Sequence, residues 1–259
     1  MTKPAVLITG ASTGIGATYA DRFARRGHDL VLVARDEARL QALASRLQSE
    51  TGVAVDVVKV DLTSPDQLSL VETRLRDDDR IGILVNNAGA GLGGSFVDQS
   101  TDAIDQLIAL NTTSVARLAS AVAPRLTKRG EGAIINIGSV VGLAPEFGMT
   151  IYGATKAFVL FLSQGLAAEL GPRGVFVQAV LPAATRTELW ARAGADEASL
   201  PPMMDVGEMV DAALAGFDAR EGVTIPSLHD ADLWAAFQNA RGAMLPGFGE
   251  TRAAARYAA

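Results

Sequence analysis

Tyr152 and Lys156 stand four residues apart in the run Tyr152-Gly153-Ala154-Thr155-Lys156. On a helix that spacing puts both side chains on one face. A free tyrosine, with a pKa of about 10, is a poor base at neutral pH. A neighbouring ammonium favours the phenolate, so the pair reads as a general acid–base group with the Tyr152 pKa drawn down by Lys156. Taken alone, the same spacing also fits a solvated pair on a helix surface. A second chemical feature is the turn Gly10-Ala11-Ser12-Thr13-Gly14-Ile15-Gly16, which follows a short apolar run and opens a helical pattern. Glycines there let the backbone approach a pyrophosphate, whose charge is held by the N–H groups and dipole of the helix start. A tight strand-to-helix connection is the competing account of that turn.

The next apolar run, Asp29-Leu30-Val31-Leu32-Val33, ends in Ala34-Arg35. In dinucleotide sites an acid at the end of the second strand bonds the ribose 2′-hydroxyl of NAD. Here a guanidinium stands where that acid would be, and it can clamp a 2′-phosphate with paired hydrogen bonds. NADP(H) is therefore favoured over NAD(H), with Ser12 adding a hydroxyl toward the same phosphate. A solvated arginine at a helix start is the alternative, with Asp36 partly neutralising it.

These residues need a scaffold, and the pattern along the chain supplies one. β-Branched runs at Ala5 to Thr9, Leu30 to Val33, Val53 to Val60, Ile83 to Val85, Ala133 to Ile137 and Val175 to Val180 alternate with helical spacing, as in Asp36 to Leu47 and Asp102 to Leu126. Near-continuous apolar strands belong to a sheet covered on both faces. The predicted fold is α/β: a doubly wound parallel sheet in three layers, forming a single domain over residues 1–259. After Pro182 the pattern loosens, and residues 187–218 are expected to include a substrate lid. A helix over Val206 to Phe217, a short strand at Val223 to Ile225, and a helix plus tail over 229–259 follow.

Composition removes other chemistries. The 259 residues contain no cysteine and only two histidines, His28 and His229, so disulfides and thiolate chemistry drop out and a histidine-based metal site or triad has no motif to support it. The formal charge of −6 works against nucleic acid as a partner. With no signal peptide and no uninterrupted apolar run of membrane-spanning length, the sequence predicts a cytoplasmic protein without a membrane partner.

Four more features complete a pattern: Asn86-Asn87-Ala88-Gly89 after the fourth strand, Asn111 in the following helix, Ser139 after the fifth strand, and the Tyr152-x3-Lys156 pair. With the glycine turn, the chain resembles the classical short-chain dehydrogenase/reductase family over roughly residues 4 to 187. The segments Val31 to Arg35, Tyr152 to Val159 and Pro182 to Glu188 are most similar to its DltE-like branch. The resemblance implies a Rossmann-like fold and hydride exchange between C4 of NADP(H) and a ketone or secondary alcohol. It assigns Ser139, Tyr152, Lys156 and Asn111 as the catalytic set, the last holding a water in a proton relay. The implied cofactor contacts are Gly10, Ser12, Thr13, Gly14, Ile15, Gly16 and Arg35. Asp61 and Leu62 lie near the adenine, Asn87, Ala88 and Gly89 behind the adenosine ribose, Tyr152 and Lys156 at the nicotinamide ribose, and Thr185 and Thr187 at the nicotinamide amide. For Asp61 a simple turn role competes.

Where the family has Pro-Gly, this chain has Pro182-Ala183; a positive φ there would strain the alanine. Pocket walls are expected at residues 90–95, 140–149 and 189–204, whose Leu143, Phe147, Met149, Trp190 and Met203 suggest an apolar substrate; packing in a core or between subunits is the alternative. A homodimer or homotetramer through the helices beginning near Thr101 and Thr150 is also implied. Two other readings remain: a catalytically silent dinucleotide sensor, and a 3-oxoacyl carrier-protein reductase, for which no basic docking patch is evident.

Overall fold

Ala5–Thr9, Ile81–Asn86 and Ala133–Ile137 are buried along their whole length, and Leu30–Ala34 and Phe176–Val180 nearly so. That is the burial of strands sandwiched between helices, and it explains why their sequences show runs of apolar residues rather than alternation. In the computed structural model, which describes residues 3–192 and 202–257, these form β1, β4, β5, β2 and β6; β3 (Val55–Lys59) and β7 (Val223–Thr224) complete a sheet of order β3-β2-β1-β4-β5-β6-β7. Every pairing is parallel. The order runs outward in both directions from β1, so a crevice opens between β1 and β4 at the carboxyl ends of the strands.

Among the described residues the helices are α1 (Gly14–Arg25), α2 (Glu37–Thr51), α3 (Pro65–Asp77), α4 (Thr101–Ile108), α5 (Ser114–Arg129), α6 (Thr150–Leu170), α7 (Leu189–Arg192), α8 (Val206–Asp218) and α9 (Ala231–Ala243). Side chains alternate across β1, with Val6 and Ile8 packing into the layer of α1, α2 and α8 and Ala5 and Leu7 into the layer of α3 and α5. The predicted helix over Asp36 to Leu47 is α2: Asp36 caps it by accepting from the Arg39 N–H, and Gly52 ends it at φ 74°.

Two expectations shift. The stretch with helical spacing over Asp102 to Leu126 takes in a π-turn at Ala109–Thr113 between α4 and α5. Residues 206–218, the latter part of the expected lid, form α8, whose Met209, Val210, Ala213 and Leu214 are core residues beside α1. The middle of that stretch, 193–201, with part of the expected 189–204 pocket wall, lies outside the described residues.

The chain divides into two compact units, Met1–Pro226 and Ser227–Ala259. The first holds the sheet. The second contains α9, which buries none of its residues and leaves Leu233 and Phe237 exposed. Among the described residues one helix, Thr150–Arg173, is long and apolar enough to cross a membrane; it packs against β6 and buries Lys156.

Candidate active site

The glycine turn is held by packing as well as by backbone freedom. A Cβ on Gly10 would lie 2.8 Å from the Ala88 Cα, and one on Gly16 2.4 Å from the Gly10 carbonyl oxygen. Gly10 and Gly14 also have positive φ, 66° and 54°. Asn87, at the end of β4, donates from Nδ2 to the Thr9 and Gly10 carbonyls, while the backbone N–H groups of Asn87 and Ala88 donate to Thr9 Oγ1. Asn87 thus braces the turn from behind. Thr9 was not legible as a site residue, its only signal being a hydroxyl closing an apolar strand.

The first turn of α1 has no side-chain cap and no acidic residue, so Thr13, Gly14, Ile15 and Gly16 present backbone N–H groups suited to an anion. Arg35 lies at the end of β2 with its side chain 74% exposed and its nearest carboxylate, Asp61, at 3.9 Å. Its guanidinium is therefore open to a phosphate, and Ser12 lies in the adjoining turn. The residues fit a dinucleotide that carries an additional phosphate.

Asp61 does what the turn reading expects: Oδ1 accepts from the Thr63 N–H and hydroxyl, and those bonds, with Arg35, hold its carboxyl below the usual range although burial opposes them. The Leu62 side chain is in the core. On the opposite wall, Thr185 Oγ1 donates to the Ala183 carbonyl, and Thr187 approaches Gly14, where a Cβ would lie 3.1 Å from its Cγ2. Ala183 is unstrained: among the described residues Arg220 alone is a non-glycine with positive φ. Arg39 and Glu188 join α2 to this wall with two hydrogen bonds of 2.9 and 2.8 Å.

At the end of β5, Ser139 begins the turn Val140–Gly142; its Oγ accepts from the Val141 N–H and donates to the Pro182 carbonyl at 3.3 Å. Across from it, the first turns of α6 carry Tyr152 and Lys156. The lysine is only 6% exposed and donates to the Ile137 carbonyl at 2.9 Å. Burial pulls its pKa down from 10.5 to about 8. The expectation that Lys156 draws down Tyr152 does not hold: Nζ lies 5.6 Å from the centre of the tyrosine ring, and burial pushes the Tyr152 pKa up, with only its hydrogen-bonding contact with Ser139 acting the other way.

Asn111 sits in the π-turn, almost fully buried. Its Oδ1 accepts from the Ala90 N–H, and its Nδ2 donates to the Ala90 carbonyl and to Thr155 Oγ1. The extra residue of a π-turn aims one side chain inward without ending the helix, which is why ordinary helical spacing did not reveal it. A Cβ on Gly89 would stand 3.3 Å from Asn111 Oδ1 and 3.4 Å from Lys156 Nζ, so Gly89 keeps the space between them open. Thr155, missed by the sequence reading, links Asn111 to α6 and donates to the Tyr152 carbonyl.

The geometry has counterparts among known proteins. The family profile described as short chain dehydrogenase matches residues 4–198. A short-chain dehydrogenase from Sphingobium yanoikuyae, solved in complex with NADPH, is 65% identical with a TM-score of 0.97, over 98% of this chain and 100% of that one. A bulky-bulky ketone specific alcohol dehydrogenase from Comamonas testosteroni is 59% identical with a TM-score of 0.94, over 100% of both chains. Very-long-chain 3-oxoacyl-CoA reductase from Bos taurus is 38% identical over 187 residues, which span 71% of this chain and 60% of that relative.

Proposed function

The chain belongs to the short chain dehydrogenase family, and from that premise we propose that it is an NADP(H)-dependent oxidoreductase interconverting a ketone that bears two bulky apolar groups and its secondary alcohol. The observation that carries this is the convergence of Ser139, Tyr152 and Lys156 at the carboxyl ends of β5 and β6, beside a glycine turn and an open Arg35. NADP(H), when bound, supplies or accepts the hydride. Arg35 and Ser12 hold its 2′-phosphate, and the N–H groups of Thr13 to Gly16 hold its diphosphate. The NADPH complex of the Sphingobium relative supports the cofactor choice.

In the reducing direction Ser139 Oγ donates a hydrogen bond to the carbonyl oxygen, polarising it. Tyr152, kept protonated by burial, transfers its phenolic proton to that oxygen as negative charge develops there. Lys156, buried and with its proton loosened to a pKa of about 8, restores the tyrosine proton by way of water held at Asn111. Oxidation runs these proton transfers backward.

The Comamonas relative's ketone class and the partly accessible apolar side chains Leu92, Leu143, Met149 and Trp190, in the segments that follow β4, β5 and β6, support the substrate choice. Trp190 is fixed by donation from Nε1 to the Thr185 carbonyl. The α6 side chains Phe158 and Phe161 are 40% and 78% exposed, an apolar face suited to a second copy in a homodimer or homotetramer.

The test is NADPH oxidation with diaryl and aryl-alkyl ketones, acetone and a 3-oxoacyl thioester, by wild type and Tyr152→Phe. The expected result is turnover fastest on the bulky ketones and lost in the variant, with NADPH binding kept. Preference for the thioester would move the substrate assignment to the 3-oxoacyl class. Turnover by neither protein would favour the dinucleotide sensor.

A further inference from the structure

Ser139 and the Tyr152–Lys156 pair come from different elements, the turn after β5 and α6, and something must fix the gap between them. The turn Val140–Gly142 lies directly on α6. A Cβ built on Gly142 would be 2.7 Å from the Ala157 backbone nitrogen, 2.7 Å from the Lys156 carbonyl carbon and 3.0 Å from its oxygen. From the helix side, a Cβ on Gly153 would be 3.2 Å from the Val141 carbonyl oxygen and 3.4 Å from its Cγ1. Gly142 does not have a positive φ, so its conformation is open to any residue and the demand for glycine is one of space. The atoms it meets are helix backbone, which cannot rotate aside as a side chain can.

Ser139 is bound to this turn. Its Oγ accepts from the Val141 N–H, its carbonyl accepts from the Gly142 N–H, and the Val140 N–H shares the Pro182 carbonyl with the serine hydroxyl. Whatever displaces the turn from α6 therefore displaces Ser139 from Tyr152.

We propose that Gly142, seated on the backbone of Lys156 and Ala157 and matched by Gly153 against Val141, is a positioning residue that sets the separation of Ser139 and Tyr152. This rests on the reading of Ser139, Tyr152 and Lys156 as the catalytic set. An alanine at 142 must move the turn away by about 0.5 Å or more, and misplacement by about 1 Å can cost about a hundredfold in rate. Gly142 touches neither the glycine turn nor Arg35, the groups that would hold the cofactor's phosphates, so the effect falls on turnover far more than on cofactor affinity.

The experiment compares wild type, Gly142→Ala, Gly153→Ala and Tyr152→Phe for kcat and KM on a bulky ketone, NADPH affinity by fluorescence, and the pH profile of alcohol oxidation. Gly142→Ala is expected to lower kcat by about ten- to a hundredfold, leave the NADPH Kd within about twofold, and displace the apparent pKa of the profile. Should Gly142→Ala not fold, Gly153→Ala, with its milder contact, reports the same effect at smaller size, and Val141→Ala in that background recovers part of kcat. Wild-type kcat and pH profile in both glycine variants, with Tyr152→Phe inactive, would overturn the proposal and leave the catalytic reading standing. Loss of NADPH affinity in step with kcat would make Gly142 a general structural residue and also overturn it. Full turnover by Tyr152→Phe would remove the catalytic reading, and the proposal with it.

Discussion

Lys156→Met should make the ligand-free protein respond differently to pH in a way that isolates one buried amine. In the folded protein burial brings the Lys156 pKa from 10.5 to about 8. The folded-state value is depressed, so below pH 8 the fold must carry a buried ammonium that the unfolded chain keeps in water. Between pH 8 and 10.5 the unfolded state binds more protons than the folded one, and stability rises with pH. With these values the burden on the fold is about 3 kcal/mol at pH 7 and falls to about 1 kcal/mol by pH 9.5. Methionine is close in length and carries no charge, so the variant lacks this term, although it also leaves the Ile137 carbonyl without its donor, a constant cost of about 1–3 kcal/mol. The constant part cancels when the two proteins are compared across pH. Urea unfolding at matched protomer concentration, at intervals from pH 7 to 9.5, should therefore show wild type gaining about 2 kcal/mol on the variant. A gap that stays flat over that range would show that Lys156 is not held near 8 and would refute the account of its proton supply.

Three other outcomes are expected. Arg35→Ala should weaken NADPH by about ten- to a hundredfold in a fluorescence titration, as loss of charge-assisted hydrogen bonds implies, and leave NADH nearly unchanged; equal losses would place the 2′-phosphate elsewhere. Gly16→Ala, whose Cβ would meet the Gly10 carbonyl oxygen at 2.4 Å, should lower both the Tm and the affinity for either cofactor, a fall in Tm alone counting against the diphosphate assignment. Asp78 is held at a pKa of about 2 by hydrogen bonds from Arg80 and by the nearby Arg74 guanidinium. Its stabilisation is present above the ordinary carboxylate range and is lost as pH falls toward 2, so Asp78→Asn should cost about 1–2 kcal/mol at neutral pH, with the two unfolding curves converging in acid.

An exposed apolar face and the candidate acid–base pair share α6. Phe158 and Phe161 look outward while Tyr152 and Lys156 look toward β5, so a partner packed on the outer face would also steady the helix that carries the acid–base pair.

The amino-acid sequence by itself determined the sheet and marked the candidate site residues. Apolar runs of five or six residues between helical periods leave few topologies other than a parallel sheet covered on both faces. The glycine turn, Arg35 and the i, i+4 pair of Tyr152 and Lys156 are local patterns with a chemical reading of their own, and Ser139 takes its meaning from their order along the chain and the family resemblance. What only the tertiary structure decided is how residues distant in sequence act on one another. The π-turn that turns Asn111 onto Ala90 and Thr155, the bracing of the glycine turn by Thr9 and Asn87, and the seat of Gly142 on Lys156 and Ala157 leave no periodic trace. The tyrosine shows the difference most directly. Its spacing from Lys156 predicted a lowered pKa, but the fold places the ammonium over the ring, and desolvation, which depends on every neighbour in space, sends the pKa upward.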